Sequence, residues 1–330
     1  MFIDILCRRT SVLLALACVW PIGVHAQGWA PSQTIEIVVP AGAGGAIDRT
    51  ARLIQALLKP AGINNASSIV NKSGGGHSVG YAYLNQQAKD PHHLLVTSTN
   101  LVTNHVAGTS PIGYTDVTPI SLLFNEYVVF CVASQSAIGS PMDLIATLKA
   151  RPESISIGVG SAIMGANSVA VSLVGKSAGI DSRKLRKVTF KSSSEAAVQL
   201  MGGHIGLIAS TPGIVAAGIA NGQLRPLAVS APSRLGGNLA NVPTWRELGV
   251  NAIVGNWRIV IAPTGVSADA ADFWAEALGR ISAMPAWRES LEKSGARPDY
   301  MNRQGTGAFL NEQDTLYRAT FTELGANKRQ

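Results

Sequence analysis

Two hydrophobic rhythms alternate along the chain. Ile35 to Val39 is a short continuous apolar run of the kind a buried strand makes, and it leads into Pro40 and then Gly42, Gly44 and Gly45. The rhythm then becomes helical, with Ala51, Ile54 and Leu58 on one face. The same strand, glycine loop and helix return at residues 155–167, ISIGVGSAIMGAN, followed by Val169, Leu173 and Val174. Downstream the match continues. SSIVNKSGGG (67–76) pairs with KVTFKSSSEA (187–196), and HHLLVTST (92–99) with HIGLIAST (204–211). The repeat is roughly 120 residues long, far above the 20–50 of a solenoid, so it predicts two similar βαβαβ domains. Strands alternating with helices imply an α/β fold with a mostly parallel sheet in each.

In such sheets ligands sit beyond the carboxyl ends of the strands. If the two lobes face each other, all six glycine-rich or polar strand ends line one cleft. Neither glycine loop is a nucleotide motif. From Gly42 the third glycine of G-x-G-x-x-G would fall at Ile47, and Ala46-Ile47-Asp48 stands where a phosphate loop has Gly-Lys-Ser/Thr. What remains is the unpaired N–H groups and partial positive charge of a helix start, which suit an anion. Asp48, in the first helical turn, is expected to order the loop.

The longer-range organisation is read from the same patterns. The chain leaves the first lobe near residues 118–132 and returns between Leu227 and Trp257, giving lobe 1 as 27–125 with 232–330 and lobe 2 as 126–231. Ser267 is expected to cap a helix through Arg280, Pro285 to start another that Gly295 ends, and a long helix to run from Thr306 to Leu324. These elements are expected to brace the first lobe. Arg258 has two readings, a bidentate clamp on a carboxylate near the hinge and, the favoured one, a partner of a surface acid, with Trp257 packing between lobes. Lys72 and Lys191 have two readings, rim charges that steer anions or solvated side chains.

Composition narrows the class. Residues 1–26 carry Arg8 and Arg9, an apolar run from Ser11 to Trp20 and the small-x-small site Val24-His25-Ala26, the pattern of an export signal. Cys7 and Cys18 leave with it, so Cys131, in the apolar stretch Tyr127 to Ala133, is expected to be a core thiol. The net charge of +7 is modest and spread out. A nucleic-acid partner needs a clustered basic face, so none is expected, and a diffuse positive field favours a small anion. There is no G-x-S-x-G or H-E-x-x-H. His92-His93 precedes a strand with no third ligand nearby and is expected to be a solvated turn; His77, His105 and His204 are scattered. No catalytic group, metal or cofactor is expected.

Together these residues resemble a known family, the substrate-binding proteins of tripartite tricarboxylate transporters, or Bug receptors, and within it the tricarboxylate-type subgroup. VVPAGAGGAIDRTAR, VNKSGGG, GGHIGLIAS, LRPLAVSAPSRLGGNLANVPTWRELGV, GNWRIVIAPTGVS, PAWRESLEKSG and TFTELG carry the likeness, in order along the chain. The resemblance implies a two-lobed Venus-flytrap (type II periplasmic-binding-protein) fold and a monomeric periplasmic receptor. It would bind an organic carboxylate, tricarboxylate or dicarboxylate, and pass it to a two-component membrane permease. Carried over by position, the first-lobe candidates are Ala41, Gly42, Gly44 and Gly45, with Asp48 in support, then Ser98, Thr99 and Asn100. In the second lobe they are Gly160, Ser161, Asn167 and Ser168, then Lys191 and Ser192, then Ser210 and Thr211. Similar members often carry a histidine where Ser168 stands here, so the ligand's identity does not carry over. A sensor delivering to a signalling partner, and a periplasmic enzyme using Asp48 as general base, are the rival readings.

Overall fold

The computed structural model describes residues 28–160 and 164–324. Residues 1–26, where an export signal is expected, with Cys7 and Cys18, and Ser161 lie outside them.

The first lobe opens with β1 (Ile35–Val39), α1 (Ala46–Leu58), β2 (Ser67–Asn71), α2 (Ser78–Asn85), β3 (His93–Ser98), α3 (Asn100–Val106) and β4 (Thr118–Tyr127). The chain passes through Val128 into the second lobe: β5 (Val129–Ala133), α4 (Pro141–Ala150), β6 (Ile157–Gly158), α5 (Ala166–Ser177), β7 (Lys187–Val188), α6 (Ser193–Met201), β8 (Leu207–Ser210), α7 (Pro212–Ala220) and β9 (Leu224–Val229). It returns to complete the first lobe with β10 (Gly255–Ala262), α8 (Ala268–Ala283), α9 (Pro285–Ser294), β11 (Arg297–Met301) and α10 (Arg303–Glu323).

The sheets run β11-β4-β10-β3-β1-β2 and β7-β6-β8-β5-β9. In each, the three strands of the repeat pair in parallel, β2-β1-β3 and β7-β6-β8. The strand that arrives from the other lobe runs against them: β10 is antiparallel to β3 and β4, and β5 to β8 and β9. Each sheet is therefore mixed: the strand by which the chain arrives from the other lobe runs against the repeat, and the strand by which it leaves, β4 or β9, runs with it. At the crossing, Ser230 N–H donates to Val128 O at 2.7 Å and Val254 N–H to Ser230 O at 3.0 Å, tying the two passages together.

Local sequence explains the helices that flank these sheets. α1 buries Ala51, Ile54, Leu57 and Leu58, the stripe its spacing predicts. Ser267 caps α8 by accepting the Ala270 N–H at 3.4 Å, and Gly295, at φ +65°, ends α9 in the left-handed conformation that glycine takes freely. α8 and α9 anchor on the first lobe through tryptophans. Trp274 is fully buried and donates its indole N–H to Pro91 O at 2.7 Å, and Trp287 packs edge-on to Phe124 of β4. β11, absent from the sequence pattern, closes the far edge against β4. Cys131 lies free and buried in β5, where burial pushes its thiol up. His92 and His93 do not form a solvated turn. Asp90 binds one ring nitrogen of each, at 2.9 and 3.0 Å, and His92 packs against Trp29.

Candidate functional site

Two helix starts of matching geometry face each other. Gly45 precedes α1 with φ −72° and ψ 173°, Gly165 precedes α5 with φ −72° and ψ 171°, and among the described residues no side chain caps either helix. In each loop an earlier glycine is left-handed, Gly44 at φ +76° and Gly160 at φ +80°. The first-turn N–H groups of both helices thus have no side-chain acceptor, and each terminus adds partial positive charge.

Asp48 fixes the first loop from beneath. Its Oδ2 accepts the Gly44 N–H at 2.9 Å and Arg52 Nε–H at 2.8 Å, and its Oδ1 accepts Asn71 Nδ2–H at 3.0 Å. Burial pushes this carboxyl up, but Arg52, the Gly44 N–H and Asn71 together hold it below the usual carboxylate range. Gly44 is needed for its conformation alone, since a Cβ there would meet nothing within 4 Å. Gly42 and Gly45 are needed for closeness: a Cβ on Gly42 would sit 3.3 Å from Lys191 O, and one on Gly45 3.4 Å from Ser192 Cβ. The lobes touch directly here. Gly42 N–H donates to Lys191 O at 3.3 Å, and Ser194 Oγ–H to Gly44 O at 2.7 Å.

Between the helix starts lies a cavity of about 50 Å³. Ala41, Gly45, Ala46 and Ile47 wall it from the first loop, and Gly165, Ala166 and Asn167 from the second. Ser98 and Asn100 reach it from the end of β3, Ser192 and Ser193 from the start of α6, and Thr211 from the end of β8. Asn167 Oδ1 and Thr211 Oγ1 are buried without a protein partner, and such atoms await a ligand or water.

Two larger side chains complete the site. Arg258, on β10 opposite Ser98, is 1% exposed. Its Nη2–H donates to Glu126 Oε2 at 2.6 Å and its Nη1–H to Asn256 Oδ1 at 3.1 Å, while Nε is buried with no protein partner. Burial raises the Glu126 carboxyl against the pull of Arg258 and Arg49. Arg258 thus pairs with a buried acid rather than a surface one, and it lines the cavity with Asn256. Trp257 turns the other way, edge-on to Phe309 with its indole N–H on Gln313. The second is His77. It takes φ +91° after Gly74, Gly75 and Gly76, all at positive φ. Asn100 Nδ2 lies 3.0 Å from its Nε2, and burial, with Arg258 nearby, pushes the imidazole down to about 3.

Of the residues singled out in the sequence, Ala41, Gly45, Ser98, Asn100, Asn167, Ser192 and Thr211 line this cavity. The other described ones do not line it. Gly42 and Gly44 form the interlobe contact, and Asp48 lies under the loop. Thr99 is buried at the start of α3 and donates to Asn256 Oδ1 at 3.4 Å. Gly160 packs on Ser193, Ser168 is buried within α5, and Ser210 is buried at the end of β8. Lys191 lines a separate outer crevice, and Lys72 lies over the Tyr83 ring. His77, Asn256, Arg258 and Glu126 carry no motif. The signal that could have found His77 is a lone bulky residue ending a glycine run.

Comparison with known proteins agrees with this architecture. The family model described as tripartite tricarboxylate transporter family receptor matches residues 55–325. A UPF0065 protein of Bordetella bronchiseptica is 28% identical over 311 residues, covering 93% of this chain and 89% of its own. The periplasmic binding protein BugD superposes with a TM-score of 0.83 at 21% identity, over 90% of this chain and 99% of that one. MatC from Rhodopseudomonas palustris, solved with bound malate, superposes with a TM-score of 0.80 at 20% identity, over 88% and 99%. With its two facing glycine loops and a family match over most of its length, this chain belongs to the tripartite tricarboxylate transporter receptor family.

Proposed function

We propose that the protein is an extracytoplasmic receptor that captures an organic carboxylate between its lobes and delivers it to a two-component membrane permease of the tripartite tricarboxylate type. One observation carries the reading: two uncapped helix starts, one from each lobe, meet at a buried cavity that also holds Arg258. A carboxylate there accepts N–H groups from both lobes, so its binding free energy favours the closed arrangement. Arg258 adds the Nε–H donor its other partners leave over. A solved protein of the same fold holds malate, a ligand of this chemical class. Among the described residues the cavity offers no poised general base. Asp48 is taken up by its loop, and the His77 imidazole has too low a proton affinity to accept one at neutral pH. Export by residues 1–26 would place the receptor in the periplasm.

The test is a thermal-shift screen of the refolded protein against mono-, di- and tricarboxylates. A ligand at 100 times its Kd stabilises by about 2.7 kcal/mol, which is expected as a saturable rise in melting temperature for at least one acid recovered unchanged. An acid recovered chemically altered would make the protein an enzyme, and a flat response to every acid would remove the carboxylate reading.

A further inference from the structure

Two cavities meet at one side chain. The inner one, of about 50 Å³, holds the helix starts and Arg258. An outer crevice of about 560 Å³ opens beside it, between Pro40, the glycines at 74–76 and the Phe190-Lys191 turn of the second lobe. Ala41 and His77 line both. Ala41 contributes a methyl group, so the imidazole is the bulky part of the shared wall.

That imidazole is held where glycine would be easier. A side chain at φ +91° is strained, and the three residues before it are all glycines at positive φ. Strain of this kind persists where the surroundings over-determine the conformation, and it clusters at ligand sites. The surroundings here do so. His77 is 1% exposed, Asn100 Nδ2 lies within 3.1 Å of both ring nitrogens, Tyr81 packs edge-on, and Asn104 donates to the Gly76 carbonyl. The ring is neutral at ordinary pH, so it adds bulk to the anion site without adding charge.

We propose that His77 sets the length of acid this receptor accepts. With the imidazole in place the inner cavity takes a short-chain carboxylate. With it removed, the inner cavity and the outer crevice join and a long dicarboxylate threads from one to the other. The inference rests on the carboxylate-receptor reading. Lys191 and Glu195 both line the outer crevice, and Glu195 Oε2 accepts the Lys191 N–H at 2.9 Å. The far end of a long acid therefore meets both signs of charge, and length rather than charge is what the imidazole controls.

The test is calorimetric titration of the purified protein and of His77→Gly with malonate, succinate and adipate. Wild type is expected to bind malonate or succinate at least about tenfold more tightly than adipate, and His77→Gly to shift that ratio toward adipate by about tenfold or more. His77→Asn, smaller than histidine and tolerant of positive φ, is expected to fall between and decides the matter if the glycine variant folds poorly. The inference is overturned if the acids bind with the same length preference in all three proteins, or if wild type holds adipate as tightly as succinate. If no acid binds any of them, the receptor reading itself has failed and takes this inference with it.

Discussion

Asp48 shows how one residue can govern a site it does not enter. Its carboxylate draws together Gly44 at the tip of the loop, Asn71 at the end of β2 and Arg52 one turn along α1. Replacing it with asparagine removes the charge from these bonds. The expected loss is about 1.5–3 kcal/mol, the range for hydrogen bonds to a charged group, measured by urea unfolding, with weaker acid binding as Gly44 loosens. A variant of full stability would mean the loop is ordered by something else. The pH dependence has a definite sign. The folded carboxyl titrates below its ordinary value of 3.8, so its contribution is complete above that value. It is lost as the pH falls through the lower, folded value. The difference in stability between wild type and Asp48→Asn should therefore shrink on acidification below about pH 4.

At the scale of elements, function lies in the turns between strand and helix. Gly42 N–H donates to Lys191 O at 3.3 Å, and a Cβ on Gly42 would sit 3.3 Å from the same oxygen. Gly42→Ala is expected to hold the lobes slightly apart and weaken acid binding by about tenfold, or 1.4 kcal/mol, with little change in the melting temperature of the unliganded protein. Unchanged affinity would show that the turn yields. These turns are legible in the sequence because strand, glycine loop and helix are contiguous, and the same holds for the caps at Ser267 and Gly295. What is not legible is what the fold assembles from afar. Glu126 and Arg258 are 132 residues apart and meet only because β4 and β10 pair. β11 leaves no signal because RPDYM has no buried face and contains a proline. The second-lobe strands at 157–158 and 187–188 are only two residues long.

For the whole molecule, the decisive feature is that closure makes contacts of its own. The strands that cross between lobes are tied to each other at Val128, Ser230 and Val254, so the lobes share a narrow double passage. Opposite that passage, Ser194 Oγ–H on α6 donates to Gly44 O in the first lobe at 2.7 Å. This bond spans the lobes and forms only when they meet. It is exposed, so its net worth lies near the lower part of the usual range of about 0.5–1.5 kcal/mol. An acid reaches the open cleft before the bond exists, so removing it leaves the approach unaltered and affects only how long the closed state lasts. Ser194→Ala is therefore expected to raise the dissociation rate of a bound acid by about two- to fivefold while the association rate and the unliganded melting temperature stay the same. Stopped-flow mixing separates the two rates. A slower association with unchanged dissociation would place this contact in the encounter instead, and equal rates in both proteins would mean that the glycine loops and Arg258 hold the lobes closed without it.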